Sequence, residues 1–404
     1  MKCFLLTLIL GILLRLFFFY FYPLALQSGQ HIIFSATLLE DPKLMGNTQE
    51  FHLMYGDFWH SIQLLIVTKA DQDYSYGQEM SVNGTLKEKL LKNKQTVLVI
   101  QNPQIKAKNT QILPLFAVLR DKINNFCENN FSQPYSGLLV GIIFGDKSLV
   151  TYPITTSFRI TGLSHLLVVD GLKITLVVGF LIAVLQSLLP RKRAVIVATS
   201  LLILYVGLSG FEISAVRAGF MALIAFGSQL FGRQYSGLWA LLLVAGTMLF
   251  IDPLLLSQVA FQLSVLATLG IMFFEPLLPL RDSFLQDLNL TLAAQLPTLP
   301  ILLGVFGNYS LISLPIHVLV MWTIPLIMVV GALGISIGLM IPLLGKIVVS
   351  LIIPLLWYVQ QIAQFFSNYP GQVQMQSMPI AFYMGYYVIL LCVYLLLRER
   401  KRSI

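Results

Sequence analysis

Long apolar runs dominate the chain from Gly137 to its basic C-terminal tail, and they limit what it can fold into. A helix needs about 20 apolar residues to cross a bilayer, so residues 160–397 have room for about nine spans. Charged residues make up only 11% of the chain, against about 25% in soluble domains. With a further run at 4–22, we predict a polytopic α-helical membrane protein of about ten spans. The later spans are predicted at 164–189, 194–209, 212–231, 236–250, 256–275, 287–304, 316–341, 347–366 and 380–397.

Basic residues occur in alternate loops of this layout, as the positive-inside rule requires. The opposite loops, near Gly210, Asp252, Ser310 and Gln372, contain almost no Lys or Arg. We therefore predict a multi-pass protein of the bacterial cytoplasmic (inner) membrane, with both termini cytoplasmic and residues 28–160 extracytoplasmic. The basic loop and tail residues are Arg191, Lys192, Arg193, Arg233, Arg281, Lys346, Arg398, Arg400, Lys401 and Arg402.

The first apolar run, at residues 4–22, follows Lys2 and has two interpretations. A cleaved secretory signal peptide is the alternative. The run contains Arg15 and several bulky aromatic residues, and it lacks a small-x-small cleavage site. We therefore predict an uncleaved N-terminal transmembrane helix within residues 1–27.

Residues 28–110 differ in character, because short β-type runs alternate there with turn residues. We predict a small extracytoplasmic β-barrel, OB-like in type. An amphipathic helix is predicted at 112–132, and the segment 137–150 is too short to cross and is predicted to be re-entrant, which makes 111–160 an interfacial region. Residues 161–404 form the predicted channel domain with its cytoplasmic tail. The strands are predicted at His31–Leu39, Glu50–Tyr55, Ile62–Thr68, Met80–Leu86 and Thr96–Gln101.

Ionisable side chains inside a membrane are costly and usually face a cavity or a partner. Asp170 and Lys173 lie three residues apart in SHLLVVDGLKITLV, so one helical face would hold both. Two compatible interpretations stay open, a self-neutralising ion pair and the polar lining of an aqueous path. Glu212, in GFEISAVRAG, lies near an outer helix end, and Arg217 lies deeper. We favour pairing of Arg217 with a carboxylate, and anion binding is the alternative.

Further polar residues in the apolar runs complete the candidate pore lining. His165 and His317 are each isolated in the sequence, and an isolated histidine is more often hydrogen-bonded packing than a ligand. Gln262 and Gln295 are predicted to be buried amides of the kind that bond between helices. Several spans contain prolines, and the carbonyls that these free must face protein or water, which favours an internal cavity. The candidate pore or transport residues are His165, Asp170, Lys173, Glu212, Arg217, Gln262, Gln295 and His317.

The sequence lacks several motifs that indicate catalysis. It contains no GxxxxGK[ST] phosphate-binding loop and no HExxH pair, and its five histidines are scattered. Of Cys3, Cys127 and Cys392, only Cys127 is predicted to lie outside, so no intramolecular disulfide is expected. No two cysteines have zinc-site spacing. We predict no catalytic residues, no metal and no cofactor, and therefore a protein that is not an enzyme.

The predicted outer domain contains a local group of lysines. Residues 28–132 hold ten Lys/Arg and ten Asp/Glu, so the net charge of +8 belongs to the membrane part and says little about nucleic acid. A solvated hairpin is the favoured interpretation, and a funnel for a polyanion, with aromatic residues for stacking or for the barrel core, is the alternative. The candidate DNA-binding lysines are Lys87, Lys89, Lys92 and Lys94, with Lys106 and Lys108 nearby, and the aromatic residues are Phe51, Tyr55, Phe58, Trp59, Tyr74 and Tyr76.

The order of the motifs resembles the competence-protein domain of the ComEC family, over nearly the whole chain. GQEMSVNGTL at 77–86 is similar to the family's OB-like domain. The remaining motifs are GLLVGIIFGDKS (137–148), FRITGLSHLLVVDGLKI (158–174), Ser214-Ala215-Val216-Arg217-Ala218, Asp252-Pro253, FQLS (261–264), QLPTLP (295–300) and IPL (324–326). The resemblance implies an inner-membrane channel that admits one strand of transforming DNA to the cytoplasm during natural competence.

The resemblance also implies partners. These are single-stranded DNA, membrane lipid, and cytoplasmic motor or DNA-binding competence proteins that pull or trap the strand. The family usually has SGLH where this chain has Asp170-Gly171-Leu172-Lys173, and it tends to have Asn at the position of His317. Many members continue into a metallo-β-lactamase-like nuclease domain, whereas this sequence ends at Ile404. We therefore expect strand degradation to need a separate nuclease.

Two other functions are compatible with the residues. One is a transporter of a small solute that uses the charged groups at Asp170, Lys173, Glu212 and Arg217. The other is a non-transporting assembly protein of the cell envelope. An enzymatic function is nearly excluded by the missing metal motifs.

Overall fold

The computed structural model divides the chain into two compact units, which are described separately. The first is Met1–Asp121 with Gly246–Leu255, and the second is Lys122–Ala245 with Leu256–Ile404. The residues that the structure describes are 2–21, 28–38, 43–45, 48–56, 61–69, 74, 78–90, 96–101, 103–111, 114–278, 286–306, 308–310, 313–369, 372–374 and 380–402.

The first unit begins with the predicted N-terminal helix and continues into a β-sheet. The apolar N-terminal run forms α1 (Lys2–Phe21), and all five predicted strands are present. Two further strands, β2 and β7, are short or polar, so their sequences do not show the apolar alternation that marks a strand. The strands are β1 (His31–Thr37), β2 (Lys43–Met45), β3 (Thr48–Gly56), β4 (Ser61–Lys69), β5 (Gln78–Leu90), β6 (Thr96–Gln101) and β7 (Gln104–Gln111).

A single curled sheet of seven strands has the order β1-β5-β6-β4-β3-β2, with β7 also paired to β5. Strand β5 organises it: its first half pairs with β1 and β7, and its second half pairs with β6. Gly84 lies inside β5, where a Cβ would collide with the Ile100 side chain. The sheet buries one apolar core, and closure into an OB-like barrel stays a prediction. The core residues are Ile32, Leu38, Phe51, Leu53, Leu64, Ile66, Met80, Val82, Leu86 and Ile100.

A buried arginine lies within α1. Arg15 is only 1% exposed, and its guanidinium lies 5.9 Å from the centroid of the Phe19 ring. The carboxylate of Asp252, which belongs to the same unit, acts on it with the opposite charge. Arg15, one of the reasons for predicting an uncleaved helix, is therefore buried within the first unit.

The rest of the chain is helical, and every predicted span contains at least one helix. A small antiparallel ladder pairs β8 (Asn308–Ser310) with β9 (Gln372–Gln374). The helices are α2 (Pro114–Asn130), α3 (Tyr135–Phe144), α4 (Tyr152–Ile160), α5 (Gly171–Leu188), α6 (Arg191–Leu208), α7 (Ile213–Leu230), α8 (Gly237–Ile251), α9 (Val259–Phe274), α10 (Gln286–Phe306), α11 (Ser313–Met321), α12 (Thr323–Gly338), α13 (Pro342–Ser350), α14 (Ile353–Ser367) and α15 (Ile380–Arg402).

Helices long and apolar enough to cross a membrane number five within the described ranges, or six if the pair α13 and α14, bent by 46°, forms one span. Other predicted spans contain shorter or interrupted helices: α6 begins with three basic residues, and α8 has 15 residues. The chain is thus mostly helical with several apolar helices. The count of about ten spans stays a prediction.

Two prolines interrupt α10, and neighbouring helices fill the gap that they leave. Pro300 has no N–H, so it frees the carbonyl of Leu296 four residues earlier. The Tyr386 hydroxyl of α15 donates to this carbonyl at 2.7 Å, and Tyr387 donates to the carbonyl of Pro297 at 3.0 Å. Gly270 of α9 packs so closely that a Cβ there would collide with the Ala293 carbonyl. Neutral hydroxyl groups and one glycine therefore accommodate the two prolines of α10. Their position is called the α10 kink below, because prolines inside a helix bend it.

Candidate transport site at a helix break

The predicted span 164–189 is broken near its start. A 3-10 helix, Leu163–Leu167, ends in extended residues at Val168 (φ −127°, ψ 138°) and Asp170 (φ −113°, ψ −178°), and α5 starts at Gly171. Non-helical backbone at membrane depth is stable only where protein or water meets its polar groups. The side chains that meet these groups define a candidate site in the second unit.

Asp170 is the N-cap of α5, not a member of its face. Its carboxylate accepts the backbone N–H of Lys173 at 3.0 Å. An N-cap carboxylate satisfies one of the free N–H groups of the first turn and interacts favourably with the positive end of the helix dipole. The prediction that one helical face holds Asp170 and Lys173 is therefore wrong, because Asp170 precedes the helix.

Lys173 is 2% exposed and binds backbone carbonyls. Its ammonium donates to the carbonyl oxygens of Ile142, at 2.6 Å, and Leu166, at 2.5 Å. The Tyr205 hydroxyl donates to the adjacent carbonyl of Ile143 at 2.7 Å. The last carbonyls of a helix have no partner inside that helix, and its C-terminus attracts cations. Lys173 and Tyr205 therefore cap the C-terminus of α3.

Helix α3 is the predicted re-entrant element. It has ten residues, and Ser136–Phe144 are all buried. Ten residues rise about 15 Å, which is half of a bilayer core. Gly145, with φ 77°, ends the helix in the left-handed conformation. A short apolar helix thus points its C-terminus at the side chains around the break.

The backbone of Val169, in the middle of the break, is bonded on both sides by residues at the start of α7. The Glu212 carboxylate accepts the Val169 N–H at 2.9 Å. The Ser214 hydroxyl donates to the Val169 carbonyl at 2.6 Å. A Cβ at Gly145 would lie 3.3 Å from the Glu212 Oε2 atom, so a larger residue would crowd this bond. The extended segment is therefore held by two side chains from another helix.

Arg217, one turn further along α7, is 3% exposed. Its Nε donates to the Ser264 Oγ at 2.9 Å, and its Nη1 donates to the Thr268 Oγ1 at 2.6 Å. The predicted carboxylate pair is replaced by two hydroxyl groups of α9, although Asp170 supplies the opposite charge nearby. A Cβ at Gly171 would lie 3.7 Å from Nη2, so the guanidinium borders the first residue of α5.

The two membrane histidines are not isolated. His165, on the 3-10 helix, and His317, on α11, approach within 3.0 Å through their Nε2 atoms. Their rings stack with centroids 4.5 Å apart. A separation of 152 residues hides this pair from sequence reasoning.

The glutamines differ from the prediction. Gln262 is half-buried and donates to the carbonyl of Leu256, six residues earlier, so its bond is local and does not link helices. Gln295 is half-buried on α10, where the Thr298 hydroxyl donates to its backbone carbonyl at 3.1 Å. Whether either amide lines a pore stays a prediction.

Sequence reasoning missed several residues of this region. Asp146 is 2% exposed, accepts the Asn124 amide at 3.0 Å and accepts the Ser148 N–H at 2.9 Å. A carboxylate in an apolar run, GIIFGDKS, was the available signal. Tyr205 and Thr268 carry no such signal, because hydroxyl residues are common in membrane helices and only packing selects these two. Ser214 and Ser264 lie in motifs that resemble the family, but the motifs do not show which groups these hydroxyls bond.

The lysines and aromatic residues of the first unit are described in part. Lys87 and Lys106 are exposed on β5 and β7, whereas Lys92, Lys94 and the side chains of Lys89 and Lys108 lie outside the described residues. Phe51 is buried in the sheet core, with the Tyr74 ring 5.6 Å away. Tyr55 packs on Phe34 at 5.1 Å. These aromatic rings therefore belong to the core, and Phe58, Trp59 and Tyr76 fall outside the described residues.

Among the residues that the structure describes, no three His, Cys, Asp or Glu side chains lie close enough together to hold a metal ion. The buried charges around the break are met by carbonyls, hydroxyls and N–H groups. The arrangement positions a carboxylate, an ammonium and a guanidinium within one stretch of interrupted membrane helix.

Comparison with known proteins gives relatives over part of the chain. ComE operon protein 3 of Bacillus subtilis is 28% identical over 203 residues, which are 50% of this chain and 26% of that protein. Recombination protein 2 of Haemophilus influenzae is 26% identical over 162 residues, which are 38% and 21% of the two chains. The uncharacterised protein YcaI of Escherichia coli is 27% identical over 219 residues, 48% and 29% of the two chains.

The matches thus extend over less than a third of each of these relatives, and no solved structure matches. The sequence model of the family described as Competence protein matches residues 142–400, which contain the helix break, Arg217 and both membrane histidines. This match covers well over half of the chain and confirms the resemblance to ComEC proteins. The chain therefore belongs to the Competence protein family.

Proposed function

We propose that this protein is an inner-membrane channel that admits single-stranded DNA to the cytoplasm during natural competence. Membership of the Competence protein family supports a role in DNA uptake. The candidate site supports conduction, because polar groups are concentrated where a membrane helix is interrupted.

The observation that carries the proposal is the use of charged side chains at the break. Tyr386 shows that a neutral hydroxyl group can satisfy a freed carbonyl in this chain. At the break, Lys173 meets carbonyls with an ammonium, and Glu212 meets an N–H with a carboxylate. Burying a charge costs far more than burying a hydroxyl. Backbone satisfaction alone does not explain these charges, whereas a hydrated path for a polyanion does.

The chemistry of the site suits passive conduction of a phosphate backbone. Arg217 and Lys173 supply cations, and guanidinium groups match phosphate geometry. Asp170 and Glu212 offset these charges and would keep the strand from binding too tightly to leave. Pulling or trapping would be done by cytoplasmic motor or DNA-binding proteins.

The orientation of the protein is part of the proposal, with both termini cytoplasmic and the sheet domain extracytoplasmic. The loop charges support it. Within the first unit, Arg15 lies two thirds of the way along α1 from Lys2, and Asp252 follows the end of α8 in a predicted outer loop. Their charge interaction fits an α1 that enters from the cytoplasm.

Entry of labelled DNA tests the function. A deletion strain should lose labelled-DNA entry and transformation, and the gene for the intact chain should restore both. Lys173→Met and Arg217→Gln should restore at least about tenfold less entry at normal protein level. The control Ser336→Ala removes an exposed hydroxyl that bonds only its own helix and should restore entry fully. Normal entry in the deletion strain would contradict the proposal, and full entry with both charge variants would contradict the assignment of the site.

Cysteine labelling tests the orientation. In a variant lacking Cys3 and Cys392, Lys106→Cys should react with an impermeant maleimide added to spheroplasts, and Arg398→Cys should react only after lysis, since both positions are exposed. The remaining Cys127 should stay unlabelled in the folded protein, because burial raises the pKa of its thiol to about 12. Labelling of Arg398→Cys before lysis would contradict the orientation.

A further inference from the structure

Two histidines from distant parts of the second unit form one buried cluster. His317 is 8% exposed, and His165 is half-buried. Their Nε2 atoms are 3.0 Å apart, and their ring planes differ by only 9°. The 3-10 helix that carries His165 leads directly into the helix break.

The other nitrogen of each ring fixes where a proton must be. His165 Nδ1 lies 3.1 Å from the carbonyl oxygen of Gly162, and His317 Nδ1 lies 2.7 Å from that of Ser313. A carbonyl oxygen only accepts hydrogen bonds, so both Nδ1 atoms must carry hydrogen. Each neutral ring then has a bare lone pair at Nε2. Two Nε2 atoms that both lack hydrogen repel each other at 3.0 Å, unless a proton is bound between them.

The two Nδ1–carbonyl contacts and the Nε2–Nε2 contact each need one hydrogen, which makes three. Two neutral imidazole rings carry only two hydrogens on nitrogen, so the pair needs one additional proton. We propose that His165 and His317 form a binding site for a single proton, which is shared between their Nε2 atoms. A metal ion fits less well, because protein sites for metals such as zinc have at least three side-chain ligands and this pair supplies two. No third His, Cys, Asp or Glu joins them among the described residues.

The groups around the pair do not neutralise the added charge. Lys173 repels a proton on His165 and is itself bound to Ile142 and Leu166. Arg159, on α4, is exposed, and the Tyr358 hydroxyl of α14 is bonded to the Leu319 carbonyl. Helix α3 carries only Tyr135, at its first position, and neither α12 nor the described side chains of α10 are titratable. The proton is thus held by the geometry of the two rings.

Loss of the proton removes one of the three contacts. The 3-10 helix and α11 would then be joined by two rings whose lone pairs repel, which weakens the attachment of the segment preceding the break. Protonation of the pair therefore favours the arrangement seen here, whatever the protein transports.

Nitrogen NMR of the histidine rings tests the proposal. The other histidines, His31, His52 and His60, all lie outside the membrane region, so the full-length variant with Gln at those three positions leaves only the pair. With ¹⁵N-histidine, after EDTA treatment and reconstitution, both Nδ1 atoms should be protonated, and one proton should couple the two Nε2 nuclei. Between about pH 8 and pH 5 the pair should take up one proton and not two.

The variant His317→Gln should abolish the coupling and leave His165 neutral, whereas Ser336→Ala should change nothing. If the triple variant does not fold, the difference spectrum between wild type and His317→Gln gives the same information. Uptake of two protons, uptake of none, or two neutral rings without coupling would overturn the proposal. A change in the ¹⁵N signals of both Nε2 atoms that appears only with added Zn²⁺ would also overturn the proposal, and it would identify a metal site.

Discussion

The second unit interrupts its membrane helices in two chemically different ways. At the kink of α10, Pro300 frees a carbonyl, and the neutral hydroxyl of Tyr386 bonds it. At the break before α5, Lys173, Glu212 and Ser214 bond backbone groups of Leu166 and Val169. The α10 kink shows that a neutral hydroxyl group is enough to bond a freed carbonyl. The charged side chains that bond the backbone at the break therefore need another explanation.

The α10 kink and the break before α5 should therefore respond differently to substitution. Substitutions at the kink should change the free energy of unfolding and leave DNA entry intact once the protein is folded. Substitutions at the break should change both, and a change that removes charge while keeping hydrogen bonds should affect entry more than stability.

Replacement of Lys173 by Met should have the largest effect. It removes the ammonium and leaves the carbonyls of Ile142 and Leu166 without their donor. Two unsatisfied buried carbonyls should lower the free energy of unfolding by about 3 kcal/mol, measured by denaturation in detergent. Lys147→Met, an exposed lysine in the loop after α3, is the matched control and should change it by less than about 0.5 kcal/mol. Equal effects of the two variants would show that Lys173 does not hold α3.

Replacement of Gly270 by Ala should be the largest effect at the kink. The new Cβ would collide with the Ala293 carbonyl and the Pro297 ring. Separation of α9 from α10 should cost about 2 kcal/mol in unfolding free energy. Gly179→Ala, in α5, meets open space and should be neutral or stabilising by up to about 1 kcal/mol. Loss of DNA entry in folded Gly270→Ala would blur the distinction between the two interruptions.

Two substitutions of Glu212 distinguish the effect of its charge from the effect of its hydrogen bond at the break. Glu212→Ala leaves the Val169 N–H without its acceptor and should cost about 1.5 kcal/mol of unfolding free energy. Glu212→Gln keeps an acceptor and should cost less than about 1 kcal/mol. Because Gln removes the carboxylate, DNA entry should nevertheless fall in both variants. Full entry with Glu212→Gln would mean that the charge is only a structural acceptor.

Tyr386→Phe should have the smallest effect. It removes the hydroxyl that bonds the Leu296 carbonyl and should lower the free energy of unfolding by about 1 kcal/mol. Cells with normal amounts of this variant should take up labelled DNA at the wild-type rate. A reduced rate would place the α10 kink in the conducting path and would remove the contrast with the break.

The apolar runs predicted a helix in each span, because an uninterrupted run of this length has few alternatives to a membrane helix. They did not predict the short helix α4, or that two of the spans would each contain two α-helices. They also marked Asp170, Lys173, Glu212 and Arg217, since an ionisable residue is conspicuous among apolar ones. The partners of these groups were not predictable. Ile142 and Leu166 act through backbone carbonyls, which every residue has, and Ser264 and Thr268 resemble any other hydroxyl residue.

The sequence by itself determined the helical membrane class, the strand-rich N-terminal region and the family, because these depend on the length, spacing and order of residue types. Only the tertiary structure decided that Asp170 caps α5, that Lys173 caps α3, that two hydroxyl groups bond Arg217 and that His165 meets His317. The cap at Asp170 is local, but the other contacts join residues that are between 31 and 152 positions apart in the sequence. The packing of helices selects such pairs, and no local pattern in the chain specifies it.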